Sequence, residues 1–377
     1  MATPLASGIV PNVTSETLDA AAPTLVPDTR KGRRSVVRIP KAWYDACRSE
    51  ELKKRPIDRV VLGIPMVLFR ASDGTPGALL DRCPHRNIPL SEGRVVGDRV
   101  QCAYHGWEFD QVGVCRKVPG LVAASEAKGR NASSFAVREQ DGFVWVWAEA
   151  DDEPTEEPYK LPIGDGRGYT VVRRTVEFPG SLHATLENAL DVPHTAFLHR
   201  GLFRGNAEPN DIRCVVTRDA RGVQAEYLDE PRPPGLAARI LSPSGGLVTH
   251  YDRFRLPSIG EVEYRMGEES HFVALSLCTP ISDFVTRVFA VVAFRLPVPG
   301  WLVAPFIGPV AMRVFQQDVR ILDLQTRAIE RFGGEQFIST EIDVLGGQIW
   351  RLLRRAAEGK GPDASDATFR RELTLRV

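Results

Sequence analysis

The sequence predicts an α+β protein of two domains: a small all-β unit, then an antiparallel sheet that covers long helices. Three observations carry this expectation. The 377 residues exceed what a single hydrophobic core usually organises. Short β-rich runs punctuated by turn residues fill the stretch from Val36 to about Ala150. Beyond an acidic, proline-bearing stretch, strand-like runs alternate with three helical candidates. The resulting division is a disordered leader over 1–35, a first domain over 36–150, a linker over 151–165, a second domain over 166–358 and a flexible tail over 359–377.

Each part has a local reason. The leader is rich in Ala, Pro and Thr, carries Glu16, Asp19 and Asp28, and lacks the basic start and apolar run of a secretory signal. Arg59 to Arg70 reads as two strands parted by a turn at Gly63–Pro65, Ala71 to Gly77 as a turn, and Gly142 to Ala148 as an alternating strand. Asp151 to Pro158 is acidic and has little to bury, which suits a linker. Strands are predicted at Tyr169–Phe178, Val223–Leu228, Ile259–Met266, Phe272–Cys278 and Arg287–Phe294, with helices at Leu182–Leu190, Met312–Phe332 and Glu335–Ala357. Leu296 to Met312 carries no charge but holds Pro297, Pro299, Pro305 and Pro309, and is shorter than the ~20 residues of a spanning helix. It reads as an apolar connector packed on the second domain, with a lipid-touching surface as the lesser alternative.

Composition narrows the function. Lys+Arg and Asp+Glu are balanced at 48 each, which argues against a broad electrostatic grip on nucleic acid or an anionic membrane. Six cysteines are too sparse for a disulfide scaffold, so a reducing, cytoplasmic setting with metal-binding thiolates is expected. No glycine fingerprint for a dinucleotide follows a strand, so any reductase must lie on another chain.

The most informative stretch is Asp81-Arg-Cys83-Pro-His85-Arg86, followed by Cys102-Ala-Tyr-His105-Gly-Trp107, with sixteen residues between His85 and Cys102. Two loops each supply one Cys and one His. In a [2Fe–2S] cluster one iron takes two thiolates and the other can take two imidazoles, a substitution that raises the reduction potential. Tetrahedral zinc is the competing reading, but zinc fingers group Cys with Cys and His with His. The segment resembles the Rieske domain of ring-hydroxylating and related oxygenases, with Pro84, Gly93, Gly106 and Trp107 at turn and packing positions. Cys47, Cys115, Cys214 and Cys278 match no ligand position and read as packing residues.

A second constellation is Glu187-Asn188-Ala-Leu-Asp191-Val-Pro-His194-Thr-Ala-Phe-Leu-His199. Asp191 and His194 share a helix face, whereas His194 and His199 are five apart and converge only if the helix bends or ends near Pro193. Two His and one carboxylate on one face of Fe(II) leave the opposite positions open for O₂. The run resembles the Asp-x-x-His-x-x-x-x-His of Rieske non-haem iron oxygenases, in the monooxygenase and demethylase branch with pheophorbide a oxygenase-like and aminopyrrolnitrin oxygenase-like proteins.

That resemblance implies a helix-grip (START-like) second domain and assigns Asp318, in Phe315-Gln-Gln-Asp318, as the third iron ligand, with Asp323 as a rival. Gln317 stands where the family often has an acidic residue, which lowers the local charge. The resemblance further implies Asp191 as a bridge to a cluster histidine, His85 or His105, of the next subunit in a head-to-tail homotrimer, and Asn188 as a polar neighbour of the iron. It implies a [2Fe–2S] cluster, a mononuclear Fe(II), O₂ as co-substrate, and NAD(P)H electrons arriving through a ferredoxin or flavin reductase. The substrate the resemblance implies is a small organic molecule of aromatic or polycyclic type. Pocket walls are expected from Val248–Arg255, Val273–Pro280 and Trp301–Ile307. His183, His250 and His271 read as hydrogen-bonded structural histidines. The rival from another class is a Rieske electron carrier whose second domain only binds a ligand.

Overall fold

The computed structural model describes residues 37–122, 128–164, 166–199, 211–228, 230, 248–361, 363, 366 and 368–376; the leader expected over 1–35 lies outside them. The first unit is built from three small antiparallel sheets. One is β1 (Trp43–Arg48), β11 (Phe143–Trp147) and β10 (Val137–Gln140). A second is β2 (Ile57–Val61), β3 (Ile64–Arg70), β4 (Pro76–Leu80) and β9 (Ser134–Phe135). The third is β5 (Arg94–Val96), β6 (Arg99–Gln101), β7 (Glu108–Phe109) and β8 (Cys115–Lys117), and it presents the loops of interest.

The alternation in β11 explains how the two units are joined. All five residues are buried, so both faces of the strand are covered. Val144 and Val146 pack with Tyr44 and Leu68, whereas Phe143, Trp145 and Trp147 pack with Leu275, Phe289 and Val291 of the second unit. Linker residues Leu161 and Ile163 complete that second cluster. Aromatic area of this size makes the inter-unit contact hydrophobic rather than polar.

The second unit is an eight-stranded antiparallel sheet in the order β12-β18-β17-β16-β15-β14-β13-β19. The strands are β12 (Thr170–Phe178), β13 (Asp211–Arg218), β14 (Gly222–Leu228), β15 (Val248–Arg255), β16 (Ile259–Met266), β17 (Ser270–Ser282), β18 (Val285–Arg295) and β19 (Arg370–Arg376). Among the described residues four helices join it: α1 (Leu182–Ala189), α2 (Thr195–Leu198), α3 (Gly300–Arg331) and α4 (Gly346–Ala357). One sheet face, through Val223, Ala225 and Phe254, packs on Leu186 of α1 and Ile349, Leu352 and Leu353 of α4. Ser181 caps α1 by accepting from Ala184 N–H at 3.2 Å.

Four expectations are corrected. The tail over 359–377 is not wholly flexible, because β19 pairs with β13 from Asp211↔Arg376 to Thr217↔Arg370 and closes one edge of the sheet. Its alternating charged residues hide a strand with only one buried position, Leu375. The helix predicted from Met312 begins twelve residues earlier, at Gly300, and includes Pro305 and Pro309. Each proline removes one helical hydrogen bond, but close approaches of Gly300 to Thr170 and Gly308 to Arg174 hold the segment against β12. Leu296–Met312 is therefore no packed connector: Trp301 and Phe306 are each 72% exposed. The last helix starts at Gly346 rather than Glu335, after a turn in which Thr340 N–H donates to Asp343 Oδ2 at 2.6 Å.

On the linker-facing side of the sheet, Arg253 bridges Glu261 (2.5 Å) and Glu263 (2.6 Å), and Arg265 and His271 also reach Glu263 at 2.7 and 2.8 Å. Burial alone would raise the Glu263 carboxyl, but hydrogen bonds and charge from the arginines outweigh it and hold the group at about 2. Its contribution to stability is thus complete above the ordinary value of 4.5 and is lost as the pH falls toward about 2. Glu263→Gln is expected to flatten the fall in melting temperature across that acid window. An unchanged acid profile in thermal unfolding would contradict the assignment.

Candidate metal centres

The two Cys/His loops are closed by the same pair of main-chain hydrogen bonds. Cys83 N–H donates to Ile88 O and Asn87 N–H to Cys83 O, both at 2.9 Å. Likewise Cys102 N–H donates to Trp107 O (2.8 Å) and Gly106 N–H to Cys102 O (3.1 Å). Asn87 and Gly106 take φ of 61° and 71°, and a Cβ on Gly106 would meet Pro119 at 3.1 Å, so the second loop uses glycine for both backbone and space. Asp81 anchors the first loop by accepting from Ser91 N–H and Oγ–H at 2.8 and 2.6 Å.

These turns place Cys83 and Cys102 in the core, 2% and 3% exposed, and the two imidazoles above them with ring centroids 4.5 Å apart. His85 stacks on Trp107 at 4.7 Å and 5°, and its Nδ1 is buried with no hydrogen-bond partner. A buried ring nitrogen left unpaired is what a metal-binding lone pair looks like before its ion is added. Burial pushes the Cys83 thiol up to about 11, although the His85 and Arg86 amides favour the thiolate; a bound cation would reverse the balance. These four side chains come as one Cys and one His from each loop, not as the Cys pair and His pair that zinc fingers group. They fit a two-iron cluster better.

The second centre lies on the helices. The break after α1 sends Asp191 and His194 into a turn before α2, and His194 N–H donates to Asp191 Oδ2 at 3.0 Å. His199 follows as the C-terminal cap of α2 and is 1% exposed. Asp318 enters from α3, 6% exposed. His199 Nε2 lies 3.1 Å from Asp318 Oδ1, His194 Nε2 lies 3.7 Å from it, and the two Nε2 atoms are 3.2 Å apart. Ligand bonds of about 2.1 Å meeting at right angles separate their donor atoms by about 3.0 Å, so the triangle fits one face of an octahedral ion.

The surroundings aim these donors. His194 Nδ1–H donates to the Asp191 carbonyl at 2.5 Å, and His199 Nδ1–H donates to Gln317 Oε1 at 2.8 Å. Asn188 Nδ2 reaches Asp318 Oδ1 at 3.5 Å. Burial is the largest influence on His194 and disfavours its charge, but Asp191 and Asp318 outweigh it and raise the group above its ordinary value. Burial raises Asp318, opposed by both imidazoles and Asn188.

Other candidates resolve simply. Asp323 pairs with Arg327 at 2.8 Å and takes no part in the triangle. His183 bonds to Gly346 O, His250 lies between Glu230 and Asp252, and His271 bonds to Tyr169 and Glu263. Cys47, Cys214 and Cys278 are buried, and Cys115 is half-buried. The contact of Gln317 with His199 has no local signal in the sequence beyond the place of Gln317 next to Asp318.

Known proteins carry these two units in the same order. Residues 42–135 match the Rieske [2Fe-2S] domain and residues 178–359 the Vanillate O-demethylase oxygenase C-terminal domain. That organisation defines a two-centre Rieske iron protein. The chain belongs to the Rieske non-haem iron oxygenase family, whose cofactors are the Rieske cluster and a mononuclear iron. It is 33% identical to methylxanthine N1-demethylase NdmA of Pseudomonas putida over 67% of this chain and 72% of that protein. It is 37% identical to the dicamba O-demethylase oxygenase component of Stenotrophomonas maltophilia over 53% of this chain, and spans 59% of that relative. It spans about half, 53%, of the chloroplastic TIC 55 protein of Arabidopsis thaliana, at 29% identity over 76% of this chain. The crystal structure of dicamba monooxygenase bound to dicamba superposes with a TM-score of 0.70 at 24% identity, covering 85% of this chain and 98% of that one, and so shares the fold. Among the described residues no helix is long and apolar enough to cross a membrane.

Metal analysis is expected to give about three irons per chain, two from the cluster and one from the triangle. His194→Ala should lower this to two and leave the visible spectrum of the cluster intact. Stoichiometric zinc, or loss of the cluster spectrum with His194→Ala, would contradict these assignments.

Proposed function

We propose that the protein is the oxygenase of a Rieske system, taking electrons from a ferredoxin or flavin reductase fed by NAD(P)H, and using O₂ to oxidise a small aromatic or polycyclic substrate. Monooxygenation or oxidative demethylation is the favoured reaction, since two relatives are by name an N1-demethylase and an O-demethylase. The observation that carries the reading is the His194–His199–Asp318 triangle in the same chain as the Cys83/His85 and Cys102/His105 loops. An electron carrier has no use for that triangle, which counts against the rival reading.

When bound, the cluster supplies single electrons and the ferrous ion supplies O₂ activation. Cys83, Cys102, His85 and His105 would hold the first, and His194, His199 and Asp318 the second. Asn188 would keep the Asp318 carboxylate turned toward the imidazoles. Asp191, already bonded to His194, would reach His85 or His105 of a neighbouring copy in a head-to-tail trimer, orienting both histidines through one carboxylate. Exposed apolar groups stand beside both centres and support such an interface: Tyr104 is 62% exposed and Phe197 85%.

With a generic ferredoxin and reductase, O₂ uptake and formaldehyde release are expected from at least one member of a panel of methoxy-aromatic and N-methyl compounds. Asp191→Asn should lower turnover by about 10- to 100-fold with both iron contents unchanged. Wild-type turnover in that variant would remove the bridging role. Fully iron-loaded protein that never consumes O₂ would favour the electron carrier.

A further inference from the structure

We infer that Gln317 is a positioning residue that fixes the ring and the tautomer of His199 while keeping the iron centre one negative charge lower than a carboxylate at that position would. This rests on the proposed reading of His194, His199 and Asp318 as the metal-holding set. The geometry is specific. His199 and Gln317 are 118 residues apart, yet Gln317 Oε1 lies 2.8 Å from Nδ1 of a histidine that is only 1% exposed. Adjacent residues of α3 therefore hold the two nitrogens of one imidazole: Asp318 Oδ1 lies 3.1 Å from Nε2 and Gln317 Oε1 faces Nδ1.

The chemistry follows from the neutral imidazole. One ring nitrogen carries a hydrogen and the other a lone pair. Gln317 Oε1 can only accept, so the hydrogen sits on Nδ1 and the lone pair of Nε2 faces the triangle. An amide oxygen does not take up a proton across the working pH range, so it holds this tautomer without a titration of its own. His194 is oriented differently, by the main-chain carbonyl of Asp191 with the Asp191 carboxylate 3.3 Å from the same Nδ1. Both histidines thus donate through Nδ1–H, and the acceptor at Nδ1 is an amide oxygen for His199 and a main-chain carbonyl flanked by a carboxylate for His194. A carboxylate at 317 would add a third acidic group around the centre, draw the Nδ1 proton toward itself and make His199 a more electron-rich ligand. That change favours the ferric over the ferrous ion.

The test uses the full chain with its cluster loaded, adds Fe(II) alone under anaerobic conditions, and measures affinity by chelator competition. Gln317→Leu removes the acceptor and is expected to weaken Fe(II) binding about 10- to 100-fold, with the cluster spectrum and melting temperature unchanged. Gln317→Glu restores the acceptor and is expected to recover Fe(II) binding, but with a preference for the ferric state increased about tenfold, or about 59 mV lower in a one-electron potential. Undiminished Fe(II) affinity in folded Gln317→Leu overturns the orienting role, and an unchanged potential in Gln317→Glu overturns the charge role. Should Gln317→Leu not fold, Gln317→Met supplies the same apolar substitution with a more adaptable side chain. His199→Ala separates the two levels of the argument: if it retains parental Fe(II) affinity, the reading of the triangle fails. If it loses the metal while Gln317→Leu keeps it, only the present inference fails.

Discussion

The constraint on which the site depends is that Asp318, a buried carboxylate, must stand beside two imidazoles supplied by a distant segment. Lone pairs gathered at one point repel, and a carboxylate removed from water is costly until a cation compensates it. The fold therefore has to hold the arrangement by other means. It does so at the corner before α1. Thr326 Oγ–H of α3 donates to Pro179 O at 2.7 Å, and Thr286 Oγ–H of β18 donates to Gly180 O at 3.0 Å. Leu322 of α3 packs against Gly180, so the helix bearing Asp318 is fixed to the chain that leads into Asn188, Asp191 and His194. Donors held this way need little reorganisation when an ion enters.

The cluster-bearing unit solves a similar problem with main chain instead of side chains. Both loops close through the same pair of hydrogen bonds, so Cys83 and Cys102 point inward and His85 and His105 outward from matching backbones. Stacking on Trp107 restricts the His85 ring without using either of its nitrogens. The burial pattern then separates the chemistry, with thiols in the core and the imidazoles nearer the surface, where a redox partner or a neighbouring copy has access.

Between the two centres runs a hydrophobic joint rather than a hinge. The residues of β11 are shared out by alternation, its valines packing with Tyr44 and Leu68 and its aromatic residues with the second unit, and the linker lies on that second cluster. Two-faced burial of one strand ties the position of the loops to the position of the sheet, so the Cys/His loops and the His194–His199–Asp318 triangle are presented by one coherent body. The polar face of that sheet adds the Arg253–Glu263 network beside the linker.

Much of this was legible in the chain itself. The paired Cys-x-His and Cys-x-x-His loops specify their chemistry through residue type and short spacing, and the alternation in Phe143–Trp147 specifies a strand, because both are local properties of backbone period and ligand preference. The Asp191–His194–His199 spacing needed only a helix break, which Pro193 supplied. Helix α3 defied its prolines because contacts with β12 hold its first turns, and β19 escaped notice because an edge strand needs few apolar residues. Asp318 could be chosen over Asp323 by motif register alone, but only packing turns one toward the imidazoles and the other toward Arg327. The role of Gln317 belongs wholly to the tertiary structure, since a hydrogen bond across 118 residues depends on where two helices cross, a distance that no local pattern encodes.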